Sequence, residues 1–140
     1  EYGFTIASVG VTAQSEVTQA VDTLIAKGVD CFSNLTDNNV VGVLSSILEK
    51  TDEAGIPVYG SEVEQVKMGC VAAAGIDYIA LGRQTGEMAA RILKGEATAS
   101  EMDYETITEY GIYINSDALA AMGITVPQEI ADRAIESTAE

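Results

Sequence analysis

Three short polar stretches, each at the end of an apolar run, carry the chemistry of this sequence: Thr36-Asp37-Asn38, Ser61-Glu62 and Asp77-Tyr78. They offer hydroxyls, carboxylates, an amide and a phenol, a set suited to holding a small charged molecule by hydrogen bonds and ion pairs. Covalent chemistry finds little support. The chain has no histidine, which removes the commonest general base and the commonest metal ligand. Cys31 and Cys70 lie in separate apolar runs and form no CxxC pair, which argues against a zinc or redox motif. There is no GxxxxGK[ST] loop, and Gly82 and Gly86 are spaced on a helix rather than in a GxGxxG turn. Ser33 and Ser61 stand in no GxSxG elbow. The run Val9-Gly10-Val11 lacks the acidic cluster of a phosphoacceptor receiver. Asp37 and Glu62 are a pair of carboxylates with nothing between them that marks a scissile bond. The reading is a binding domain, not an enzyme, with no catalytic residue, no metal and no cofactor.

The elements that position these residues follow from periodicity. Residues 4–11 alternate and are β-branched, which predicts a strand. Val17, Ala20, Val21, Leu24 and Ile25 fall on one helical stripe over 16–27, with Ser15 as cap and Gly28 as stop. Residues 29–35 predict a second strand, 39–54 a helix, 56–59 a strand, 62–68 a short helix and 70–76 a strand of small residues. A long helix over 78–94 follows, then a polar linker at 96–103, a strand at 104–114, a short helix at 115–122 and a last helix from Pro127 to about 138. Strands alternating with helices predict the α/β class, an open doubly wound parallel sheet with helices on both faces. Near-continuous apolar runs around Val29 and Cys70 fit strands buried on both sides.

In such sheets the ligand crevice lies beyond the carboxyl ends of the strands, where Thr36-Asp37-Asn38, Ser61-Glu62 and Asp77-Tyr78 all fall. The first turns of the helices that follow add N–H groups suited to a carboxylate. A plainer explanation competes at every position. Threonine, aspartate, asparagine and serine are preferred N-caps, each contributing ~1 kcal/mol. Capping alone accounts for any one of them; three acid-bearing strand ends on one rim favour a site.

Bulk composition narrows the partners. With 140 residues and 47% hydrophobic content the chain can bury the core of one domain. It holds no apolar run of the ~18 residues that a membrane span needs. Seven basic residues against 22 acidic ones give a net charge of −15. Such a surface repels phosphate backbones, so nucleic acid is not an expected partner. No cationic, apolar leader opens the chain, and Glu1-Tyr2-Gly3-Phe4 enters a strand as if cut from something longer.

The stretches "TDNNVVGVL", "EAGIPVYGSEVEQVKMGCVAAAGIDYIALGRQTGEMAARILKGE" and "YINSDALAAMGITVPQEI" resemble the substrate-binding component of ABC importers, in the group described as uncharacterised or tryptophan-type, with a type I periplasmic-binding fold. The resemblance covers essentially the whole chain, and the run over 55–95 is its specific part. It implies two α/β lobes that close on a ligand, of which this chain supplies the C-terminal one from its second strand onward. Residues 1–76 would form the body of that lobe, 77–95 a hinge crossing and a helix of the partner lobe, and 96–140 the return strand and C-terminal helices. The resemblance assigns Thr36, Asp37, Asn38, Ser61, Glu62, Asp77 and Tyr78 to the ligand cleft. The acid at the position of Glu62 would take a ligand ammonium. Two departures stand out: Glu62 replaces the usual aspartate, and Ile79 replaces a common aromatic.

Several expectations follow from the resemblance. The protein would be an extracytoplasmic solute-binding component, periplasmic or a cell-surface lipoprotein. It would deliver a small zwitterion, such as an aromatic amino acid, to an ABC permease. A ligand-sensing domain of a regulator or receptor with the same fold is the alternative. Cys31 and Cys70 should be free thiols, since a strand between them sets their strands about 9.6 Å apart, beyond the ~7 Å limit for a bridge. Glu62→Gln should weaken binding and change fold stability little. The apolar stripe Leu81, Met88, Ala89 and Ile92 would pack on the partner lobe. In the chain alone a second copy would cover it, as a homodimer.

Overall fold

A computed structural model of the chain describes residues 2–108 and 110–138. Helix α1 (Gln14–Ala26) buries Val17 and Val21, as the stripe requires. Ser15 does not cap it, because the helix starts two residues earlier than expected, at Gln14, and takes Ser15 into its first turn. Glu16 turns back instead. One of its oxygens accepts from the N–H of Thr12 at 2.7 Å, the Thr12 hydroxyl at 3.0 Å and the N–H of Ala13 at 3.2 Å. These bonds, the backbone one to Thr12 first, hold the Glu16 carboxyl below its usual range.

Strand β1 (Phe32–Ser33) leads into α2 (Asn38–Val41) and α3 (Leu44–Glu53). The single helix expected over 39–54 breaks at Gly42-Val43, where Gly42 leaves room for the Gln14 side chain at the start of α1. A Cβ at Gly42 would stand 2.6 Å from Gln14 Nε2, and glycine is a poor helix former. Next come β2 (Val58–Gly60), α4 (Val63–Met68), β3 (Ala72–Ile76) and α5 (Tyr78–Leu93). The chain ends in β4 (Tyr110–Ile114), α6 (Ser116–Ala121), α7 (Gln128–Ala131) and β5 (Ala134–Glu136).

The strands lie in the order β1-β2-β3-β4-β5. All neighbours are parallel except β3 and β4, which pair antiparallel from Ala72↔Ile114 to Ile76↔Tyr110. The reversal follows from the path. The chain leaves the sheet after Ile76 and re-enters at Tyr110, directly opposite. The fold is therefore α/β, with a mostly parallel sheet.

The strand expected over 29–35 shortens to Phe32–Ser33, and three further predicted elements differ. Residues 4–11 form no strand; Tyr2, Phe4 and Ile6 are 95%, 84% and 88% exposed. Alternation prepares a strand, but only a neighbouring backbone completes one, and none pairs there. The strand expected over 104–114 is limited to β4, with 104–108 irregular and Glu109 outside the described residues. The last helix stops at Ala131, because Ala134, Ile135 and Glu136 pair with Ile112, Tyr113 and Ile114 instead. A ladder along a half-buried edge outweighs helix propensity here.

The core has two parts. Val17 and Val21 of α1 meet Leu44, Ile47 and Leu48 of α3, with Val58 and Cys70. Val66 of α4 covers the register pair Ala73 and Tyr113. Full burial of each large side chain contributes about 1.5–3 kcal/mol. Buried Asn115 ties the end of β4 to α4 through Nδ2 to the Val66 carbonyl at 3.1 Å. Its Oδ1 caps α6 on the Ala118 N–H at 3.0 Å. Cys31 and Cys70 are both free, with β2 between the strands they precede. Burial, and secondarily the charge of Glu62, pushes the Cys70 thiol up to about 12.

Helix α5 stands apart. None of its residues is buried, and Ile79 and Leu93 are 78% and 87% exposed. Glu105 binds the helix to the segment that follows, accepting from Gln84 Nε2 at 3.1 Å and pairing with Arg91. Among the described residues, no helix is long and apolar enough to cross a membrane.

Candidate functional site

Because β1, β2 and β3 run the same way, their carboxyl ends share one edge, the edge where α/β sheets place ligands. The loop after β1 carries Thr36, the loop after β2 carries Ser61, and their hydroxyl oxygens lie 2.7 Å apart. Two glycines permit this approach. A Cβ on Gly75, in β3, would meet Glu62 Cα at 3.0 Å and the Ser61 carbonyl at 3.1 Å. A Cβ on Gly60 would meet Gln65 Cβ at 3.0 Å. The Ser61-Glu62 loop thus lies across the end of β3, with the Gln65 side chain tucked beneath it.

All three rim acids are helix N-caps. Asp37 Oδ1 accepts from the N–H groups of Asn39 at 2.9 Å and Val40 at 3.2 Å, opening α2. Glu62 uses both oxygens, on Glu64 at 2.8 Å and Gln65 at 2.9 Å, opening α4. Asp77 Oδ1 takes Ile79 at 2.9 Å and Ala80 at 3.0 Å, opening α5. The first-turn N–H groups of these helices are therefore largely occupied by their own caps. Glu62 therefore also holds the start of α4, a role that the expectation of little change in stability left out. Capping does not exhaust the carboxylates, since each oxygen carries two lone pairs.

The structure joins Thr36 to Ser61 directly and sets Glu62 against the end of the strand that leads to Asp77. Asn38 is exposed at the first turn of α2, and Tyr78, 53% exposed, opens α5 where the chain leaves the sheet. Among the described residues no hydrogen bond ties Asn38 or Tyr78 to the other rim side chains. Two residues missed from the sequence lie beneath the rim. Gln65 is fully buried and Asn34 nearly so. Gln65 Oε1 accepts from Asn34 Nδ2 at 3.1 Å and from the Ser61 N–H at 3.2 Å, while its Nε2 donates to Ser61 Oγ at 3.3 Å. The available signal was a glutamine four residues after a strand-end serine, beside Val66 on the inward side of α4. Among the described residues, no cluster of three or more cysteine, aspartate or glutamate side chains is arranged to hold a metal.

This arrangement can hold a polar small molecule at the rim through hydroxyls and carboxylates, with a phenol alongside. Residues 1–138 match the family model for the ABC transporter substrate binding protein. The chain belongs to that family. It is 35% identical over 113 residues to a tyrosine-binding protein of Clostridioides difficile (strain R20291), a match covering 81% of this chain and 32% of that protein. It is similar in structure to a substrate-binding protein with adhesive properties from Clostridium difficile, in its ligand-free, open form. That likeness has a TM-score of 0.77 and 32% identity, over 99% of this chain and 46% of the other. It is also similar to an ABC domain from Streptococcus pneumonia in complex with L-Trp, with a TM-score of 0.81 and 25% identity, over 96% of this chain and 46% of that one. The chain spans from about a third to about half the length of these relatives.

Proposed function

We propose that this chain supplies one lobe of an extracytoplasmic solute-binding protein that serves an ABC permease and holds a small zwitterion, an aromatic amino acid, against the rim described above. One observation carries the reading: three parallel strand ends bring a hydroxyl pair, capping carboxylates and the Asp77-Tyr78 exit to one edge. The relatives support it, one being a tyrosine-binding protein and one a complex with L-Trp. In this reading Thr36 and Ser61 meet the ligand carboxylate, Glu62 meets the ammonium, and Tyr78 lies along the ring. Asp37 and Asn38 border the cleft, and Asp77 fixes the start of α5.

The division into lobes rests on the same reading. Residues 1–76 are the body of one lobe, 77–95 cross to the other, and 96–140 return. Unburied α5 supports this division, because its apolar face finds no cover in its own sheet. Hinge closure would bury the ligand, and the permease would recognise the closed form. A thermal-shift screen of the twenty amino acids on the full-length protein tests the ligand class. L-tyrosine and L-tryptophan are expected to raise the melting temperature by several degrees, as ligands well above their Kd do. A response to cationic or aliphatic amino acids alone would contradict the aromatic assignment.

A further inference from the structure

The buried amide beneath the rim fixes which way its hydroxyl protons point. A backbone N–H can only donate, so the Gln65 atom facing the Ser61 N–H at 3.2 Å is oxygen. Asn34 Nδ2, on the same oxygen at 3.1 Å, agrees. The atom facing Ser61 Oγ at 3.3 Å is then the amide nitrogen, a donor. Ser61 therefore gives Gln65 a lone pair and no proton. Ser61 and Thr36 together hold two hydroxyl protons. One lies between their oxygens, 2.7 Å apart, whichever of them donates. The other is used by no described partner and is left for the rim.

We propose that Gln65 is a positioning residue: by filling a lone pair of Ser61 it makes the Thr36–Ser61 pair a net hydrogen-bond donor, matched to the carboxylate of an amino-acid ligand. The proposal rests on the binding reading above and adds the polarity of its hydroxyl pair. Gln65 touches no ligand and acts through Ser61. Gly60 belongs to the device, since a side chain there would displace the amide.

Gln65→Glu reverses the polarity. An ionised carboxylate at this position cannot donate, so it takes the Ser61 hydroxyl proton. Thr36 then donates to Ser61, and no outward proton remains. Protonating the introduced carboxyl restores a donor toward Ser61. The titratable groups on the elements that meet here are Glu62 at the cap of α4, Glu64 and Lys67 on its outer side, Asp37 and Asp77 at the caps of α2 and α5, and the buried Cys70 thiol. All are shared with the unmodified protein, so its own pH profile serves as the reference.

The test is titration of the full-length protein and of Gln65→Glu with L-tyrosine and with tyramine, which keeps ring and ammonium and lacks the carboxylate. Near pH 8 the substitution should weaken L-tyrosine by about tenfold or more, the scale of a lost hydrogen bond to a charged group. The deficit should shrink as pH falls through the range in which the introduced carboxyl takes up its proton. Tyramine affinity should stay the same. Equal losses for both probes at every pH would make Gln65 a merely structural residue and overturn the proposal. Tighter tyramine binding would assign the effect to charge alone and overturn it as well.

Neutron diffraction from ligand-free crystals of the unmodified protein gives a readout independent of the ligand and of how the variant folds. A deuteron on Gln65 Nε2 directed at Ser61 Oγ is expected. A Ser61 hydroxyl deuteron directed at Gln65 would refute the proposal. If the unmodified protein binds neither probe, the ligand assignment fails, and the neutron map still decides the direction of the hydroxyl pair.

Discussion

At Glu62 one carboxylate serves the helix behind it and borders the rim in front. Its two oxygens hold the Glu64 and Gln65 N–H groups at the start of α4, and each keeps a lone pair that the proposal assigns to a ligand ammonium. Glu62→Gln in the full-length protein separates these roles. The amide keeps one acceptor oxygen and turns an NH₂ toward the other N–H, so urea unfolding should report a loss of ~0.5–2 kcal/mol, the range for a damaged N-cap. Calorimetry with L-tyrosine should report a loss of ~2–5 kcal/mol, the range for removing one partner of a buried charge pair. Stability lost with affinity intact would make Glu62 a cap alone. Thr36, Asp37, Asn38, Ser61, Glu62, Asp77 and Tyr78 were picked out as candidates because polar groups that end apolar strands stand out in a sequence. Asn34 and Gln65 were not, because a buried amide has meaning only through the space that Gly60 leaves for it.

Among the elements, α1 and the inner face of α3 were legible from helical spacing and β2 and β3 from short apolar runs, whereas of the run over 29–35 only Phe32–Ser33 pairs as β1. Elements that depend on distant pairing were not. Residues 4–11 carry a strand pattern without a partner, and β5 carries a helix-compatible sequence captured by β4. Glu136 of β5 then becomes structural. Its carboxylate accepts the Ser116 N–H at 3.0 Å and the Ser116 hydroxyl, joining β5 to the start of α6. These bonds, the hydroxyl one first, hold the Glu136 carboxyl below its usual range. A carboxylate lowered on folding contributes stability that is complete above the unfolded value and lost as pH falls through the folded one. Urea midpoints should therefore drop on acidification below about pH 4, and Glu136→Gln should flatten part of that drop. Superimposable pH profiles would show that the junction contributes nothing.

For the whole molecule, a sheet that orders its own strands coexists with a helix none of whose residues is fully buried. The chain leaves the sheet at Ile76, runs through α5 and returns at Tyr110, opposite its point of departure. Its relatives are two to three times as long. An exposed apolar helix face of this kind marks an interaction surface, which in the proposed two-lobe protein is the contact with the other lobe. Thr36, Asp37 and Asn38 are exposed at the rim, and in the proposed two-lobe protein a ligand held there would be enclosed by the second lobe. The structure of the full-length protein crystallised with L-tyrosine tests this claim most directly. The account predicts the amino acid enclosed between two lobes, its carboxylate within about 3.2 Å of the Thr36 or Ser61 hydroxyl and its ammonium at the same range from Glu62. A ligand seated away from these strand ends, with Thr36, Ser61 and Glu62 beyond hydrogen-bond reach, would contradict it.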